Sequence, residues 1–129
     1  MGMATGHKIT IVPADVPIEV QLGGHTVAKS DRAIRLDETG MPARYYIPRG
    51  DVRTDLLEPT AHRSTCPFKG EASYWSVRLG ADVYDNVVWS YQEPIPDAAG
   101  IRGLLCFYNE RVDLTVGSAR QSDTQAAAS

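Results

Sequence analysis

No stretch of this chain carries a helical period long enough for a structural helix; its apolar residues alternate instead in short runs cut by Gly and Pro. Alternation of period two marks strands with one buried face. Ile18, Val20 and Leu22 alternate with Glu19 and Gln21, meet Gly23-Gly24, and are followed by Thr26-Val27-Ala28-Lys29, which reads as a hairpin. Ser73, Trp75, Val77 and Leu79 form the more apolar face of a long strand, Gly80-Ala81 turns the chain, and Val83 to Tyr91 reads as its partner with a bulge at Asp85-Asn86. Shorter runs at Ile9-Val12, Ala33-Asp37, Leu104-Tyr108 and Val112-Val116 add further strands. Tyr45-Tyr46-Ile47 is extended, but Pro48 restricts it to an edge or a loop wall. Asp51 is placed to cap a short helical turn through Leu57, and Thr60-Thr65 is a polar connection. The sum is about seven or eight short strands with one or two single-turn helices, so the fold class is mainly β: a small barrel, a roll or a two-sheet sandwich.

The domain organisation follows from where apolar residues stop. Residues 1–6 read as a flexible N-terminus, 7–116 as a single β domain, and 117–129, which lack a large apolar side chain, as a disordered tail. At 129 residues and 43% hydrophobic composition, one ordinary core is affordable. A net charge of −3 speaks against a surface built to neutralise phosphate backbones, so no nucleic-acid partner is expected. The sequence shows neither a membrane span nor a signal peptide, and the expected location is cytoplasmic, as a monomer or homodimer. Cys66 and Cys106 are then free thiols.

Two segments carry candidate chemistry. In Cys66-Pro67-Phe68-Lys69-Gly70 a thiol and an amine share a turn, with His62 and Arg63 close by in sequence, and positive charge near a thiol favours its nucleophilic thiolate. Cys66 and Lys69 are therefore the candidate catalytic residues, against the plainer reading of a small packed thiol and a solvated amine. Eight of the ten aromatic residues fall between Tyr45 and Tyr91, interleaved with Arg49, Asp51 and Lys69, a mixture typical of small-molecule sites. Tyr46, Arg49, Asp51 and Tyr91 are the candidate ligand-binding residues, with Arg49 and Lys69 holding an anionic or carbonyl oxygen and Asp51 orienting Arg49. Trp75 and Trp89 are assigned to the core, as is Cys106. A structural zinc wants four nitrogen or sulfur ligands, and three His and two Cys so dispersed do not supply them; no metal or cofactor is expected.

Three motifs in order, Tyr45-Tyr46-Ile47-Pro48-Arg49-Gly50-Asp51-Val52, Cys66-Pro67-Phe68-Lys69-Gly70-Glu71-Ala72-Ser73-Tyr74 and Val88-Trp89-Ser90-Tyr91-Gln92-Glu93-Pro94, followed by Phe107-Tyr108, resemble the domain of unknown function 427 family. The resemblance runs from His7 to Val116 and implies a compact, mainly β domain of bacteria and fungi. Two positions depart from the family's habit: Val116-Gly117 stands where Asp-Gly is common, and Gln92 where Pro is frequent. The functional expectation is a small-molecule-binding β domain with Cys66 and Lys69 able to give it catalysis. The alternative is a non-enzymatic protein-interaction domain. A weaker third reading, nucleotidyl transfer, is attached to some relatives, but it needs convergent carboxylates, and this chain has no Asp-x-Asp; Asp82 and Asp85 point to opposite faces of a strand unless a bulge intervenes.

Overall fold

The computed structural model describes residues 7–120, and they form two antiparallel sheets. The larger holds seven strands, and the order across it departs from chain order. It begins with β1 (Ile9–Pro13), β4 (Ile34–Glu38) and β5 (Arg44–Ile47), continues through β9 (Leu105–Phe107), and ends with β8 (Asp82–Ser90), β7 (Gly70–Leu79) and β6 (Leu57–Cys66). The smaller holds β2 (Ile18–Leu22) and β3 (His25–Ser30) with β10 (Asp113–Val116) and β11 (Ala119–Arg120), in the order β11-β10-β2-β3. Neither sheet closes on itself, so of the three expected architectures the sandwich is the one formed. The strands number eleven among the described residues, and the helical pieces are short 3-10 turns. No helix among those residues is long and apolar enough to cross a membrane.

Period two on the large sheet assigns each side chain to one of two cores. On β5, Tyr45 and Ile47 face the small sheet and Tyr46 faces away; on β9, Leu105 and Phe107 face it and Cys106 faces away; on β8, Val88 faces it and Trp89 faces away. The inter-sheet core gathers Ile18, Val20, Leu22 and Leu114 from the small sheet against Ile47, Val77, Val87 and Leu105. The opposite face of the large sheet is also covered, by a 3-10 turn over Pro96–Ile101 whose Ala98 and Ile101 are fully buried against Leu36, Tyr46, Ala72 and Cys106. A sheet buried on both faces needs central strands without a polar side, which explains the unbroken apolar run at β9.

Three local expectations change. Tyr45-Tyr46-Ile47 lies inside the sheet, between β4 and β9, because Pro48 stands one residue beyond the strand and removes no ladder hydrogen bond from it. Thr60–Thr65 is part of β6, an edge strand whose partner β7 supplies the pairing that its own polar sequence does not advertise. Its register breaks between Pro59 and Arg63, and there the Arg63 guanidinium donates to the carbonyls of Thr60 (3.0 Å) and His62 (2.8 Å). Asp51 closes a 3-10 turn over Arg49–Asp51 and caps nothing. Past Val116 the backbone turns through Gly117 and pairs once more as β11; the rest of the expected tail, 121–129, and the expected flexible start, 1–6, lie outside the described residues.

Candidate functional site

The outer face of the large sheet carries a concavity of about 200 Å³. Arg44 and Tyr46 enter it from alternate positions of β5, Trp89 from β8, and Tyr74 from β7, while Tyr91 and Tyr108 reach it from just past β8 and β9. Glu38 at the end of β4 and Lys69 from the turn between β6 and β7 complete the wall. Trp89 organises the aromatic part. Its Nε1 donates to the Tyr46 hydroxyl at 3.1 Å, and its ring meets Tyr108 at 4.5 Å, Tyr46 at 6.3 Å and Tyr74 at 6.5 Å between centroids. Such contacts fix ring positions as well as burying area. Tyr74 is further held through its hydroxyl by Ser64 Oγ at 2.8 Å.

Two cations stand in this wall, each with a carboxylate. Lys69 is only 8% exposed, and its Nζ donates to Glu38 Oε1; Glu38 Oε2 is met by His7 Nε2 at 2.9 Å, and the His7 ring stacks on Phe68 with centroids 3.9 Å apart. Burial opposes ionisation of Glu38, but the hydrogen bonds and charges of Lys69 and His7 outweigh it and hold the carboxyl below its usual range. The turn that presents Lys69 is pinned by its backbone: Lys69 N donates to Cys66 O at 3.1 Å, and Ile95 N donates to Lys69 O at 3.0 Å. Gly70 follows at φ +118°, with the backbone of Pro94 where a Cβ would press at 3.3 Å, so glycine is required there by its φ and by the close approach of the 93–95 segment. The second cation, Arg44, lies 5.3 Å from the Trp89 ring centroid and 5.7 Å from that of Tyr108, and its Nη1 donates to Glu110 Oε1 at 3.0 Å. Burial raises the pKa of the Tyr46 and Tyr91 phenols and pushes that of Tyr108 up to about 12, so all three remain protonated donors at neutral pH.

A family model described as a domain of unknown function (DUF427) matches residues 10–118, which take in both sheets apart from Ile9 and β11 and include every residue of this concavity. The chain belongs to the DUF427 family. No curated protein matches it. The match starts after His7, so the Glu38–Lys69 pair lies within the DUF427 domain and its histidine cover lies just outside.

Of the six residues singled out from the sequence, the DUF427 fold brings Tyr46, Lys69 and Tyr91 to one concavity. Cys66 is half-buried against the same apolar cluster, near Tyr91. The cations expected around Cys66 have other partners: Arg63 holds the β6 carbonyls, His62 packs edge-on against Tyr74 with centroids 4.5 Å apart, and Lys69 holds Glu38. Arg49 and Asp51 go elsewhere. After Pro48 the chain crosses toward the small sheet, where Val52 bridges Ala28. Arg49 consequently lies over the Trp75 ring at 5.3 Å, and Asp51 accepts from Ser30 Oγ at 2.7 Å and Arg32 Nε at 3.0 Å, so it does not orient Arg49. Sequence reasoning missed Glu38, Arg44, Tyr74, Trp89 and Tyr108 as lining residues; for Arg44 a signal existed, since period two places it on the face of Tyr46.

A wider groove of about 550 Å³ opens between β2 and the turn at 109–113, but its polar side chains are engaged within the protein: Asn109 Nδ2 donates to Ala43 O at 2.8 Å, Glu110 accepts from Arg44 and Arg111 lies over Tyr108. Asp82 and Asp85 are exposed on β8, and among the described residues no three His, Cys, Asp or Glu side chains gather. The two thiols differ in a way that alkylation reads directly. Cys106 is fully buried and burial pushes its thiol up to about 12, so iodoacetamide at neutral pH should modify Cys66 in the folded protein and Cys106 only after denaturation. Native modification of Cys106 would show that the outer face opens.

Proposed function

We propose that this DUF427 domain binds a small organic molecule bearing an anionic or carbonyl oxygen in the concavity formed by Tyr46, Tyr74, Trp89, Tyr91 and Lys69. The observation that carries the reading is the Glu38–Lys69 pair, set almost out of water at the wall of an otherwise aromatic hollow. A buried ion pair is poor value as a stabilising device, because the desolvation of both ions offsets most of their attraction. A fold that retains one beside an open hollow gains donors there: an ammonium has three, and Glu38 takes one. Aromatic walls with a few fixed polar groups suit a small ligand. Cys66, behind Tyr91, is the candidate nucleophile should the bound molecule be turned over. An interaction domain draws less support, since the large apolar residues exposed among those described, Val16, Met41 and Val83, are scattered through the sequence and Met41 belongs to the hollow's own rim.

The test is thermal unfolding across a library of small carboxylates, aldehydes and ketones. A ligand at one hundred times its dissociation constant should stabilise by about 2.7 kcal/mol, and Trp89→Phe or Tyr91→Ala should reduce the shift. A library that moves the melting temperature nowhere, or moves it equally in both variants, would refute binding in this hollow.

A further inference from the structure

We infer that the ligand of this concavity is a small monocarboxylate with an apolar or aromatic body, and that Arg44, not Lys69, receives its carboxylate, at the position Glu110 now occupies; this rests on the binding reading above. The first argument is charge. The charged residues lining the hollow are Arg44, Lys69 and Glu38, a net charge of one positive that only Glu110, from outside the lining, now balances. The second is the state of each partner. Both oxygens of Glu38 are already engaged, one by Lys69 and one by His7, and the Lys69–Glu38 side chains are only 10% and 11% exposed. The charge of Lys69 is thereby matched, and its two remaining donors serve a neutral oxygen of the ligand rather than its carboxylate. Arg44 is different: its own side chain is 14% exposed, but its carboxylate partner is 54% exposed, so Glu110 can withdraw into water when another carboxylate takes its place.

The third argument is shape. A guanidinium held over the Trp89 and Tyr108 rings keeps its plane and its fork of donors fixed, which suits a planar carboxylate. The one hydrogen bond it makes among the described residues, from Nη1 to Glu110, already is an arginine–carboxylate contact. Glu110 therefore acts as a stand-in supplied by the chain, placed on a 3-10 turn over Asn109–Arg111 that lines the adjoining wider groove. A body lying against Tyr46, Trp89 and Tyr91 fills the remainder, and about 200 Å³ amounts to the space of about six or seven waters. The phenols, kept protonated by burial, add donors and no negative charge. A dianion such as phosphate would leave a charge unmatched in this lining.

The experiment follows the Trp89 indole resonance, assigned against Trp75→Phe, during titration with benzoate, benzamide and inorganic phosphate. Benzoate should shift it saturably, with benzamide and phosphate at least tenfold weaker. Arg44→Gln should weaken benzoate at least tenfold, to the level of benzamide. Glu110→Gln, at a half-exposed position outside the hollow's lining, should tighten benzoate severalfold, a gain that a misfolded chain cannot imitate. Benzamide binding as well as benzoate, phosphate binding better, or Glu110→Gln weakening benzoate would each overturn the monocarboxylate assignment while leaving a functioning hollow. If none of the three probes shifts the resonance and the library above is also silent, the hollow itself is not a binding site and this assignment falls with it.

Discussion

Glu38→Ala should cost about 3 kcal/mol and lower the melting temperature by about 10 °C. The substitution strands the Lys69 ammonium, 8% exposed, without the carboxylate that neutralises it, and leaves His7 without its hydrogen-bond acceptor. The attraction between the two ions is not what is lost; the loss is the charge left behind in a poorly solvated place. The double variant Glu38→Leu with Lys69→Met should accordingly recover most of the stability, since apolar side chains of similar size replace a desolvated pair at little cost. Acid adds an independent check. The folded Glu38 carboxyl titrates below its ordinary value of 4.5, so its contribution is fully present above that value and is lost as pH falls through the lower folded value. The variant should show a shallower fall in melting temperature below pH 4.5 than the parent. A single substitution that changes the melting temperature by less than about 2 °C would mean that water reaches Lys69 freely.

Leu105→Ala tests the other face of the same sheet, with an expected loss of about 3 kcal/mol. Leu105 is fully buried, sits on β9 where the large sheet is covered on both sides, and pairs in register with Ile47. Neighbours in close-packed strands on each side cannot collapse into the space, so the cavity contribution adds to the lost transfer energy. Urea denaturation should show a lower midpoint with an unchanged slope, the mark of a change in stability alone. A loss below about 1 kcal/mol would mean that the two sheets do not share the dense core described above.

Much of this architecture was legible in the chain because period two survives wherever one face meets the core. The β2–β3 and β7–β8 hairpins declare themselves through alternation ended by Gly23-Gly24 and Gly80. β6 was not legible, because an exposed edge strand needs no apolar side, and Pro59 with five polar residues reads as a loop until β7 pairs with it. Pro48 misled in the opposite direction, since its effect on hydrogen bonding depends on a single residue of position. The site divides in the same way. Tyr46, Lys69 and Tyr91 could be singled out by residue type and neighbourhood, but Glu38 lies 31 residues from Lys69 and meets it only through strand order. Arg49 and Asp51 look like members of the cluster on sequence distance alone, and the turn after Pro48 carries them to different partners.

The arrangement at Arg63 bears on how this molecule behaves among copies of itself. A ten-residue strand at the border of a seven-stranded sheet would ordinarily be a template on which another polypeptide can continue the ladder, the first step of fibril growth. Here Pro59 removes one donor from the row and a guanidinium occupies two of the acceptors, so the outer rim offers no uninterrupted register to an incoming strand. A polar, proline-bearing segment that looks like a mere connection thus serves as the sheet's terminus and interrupts the ladder that a second copy would have to continue.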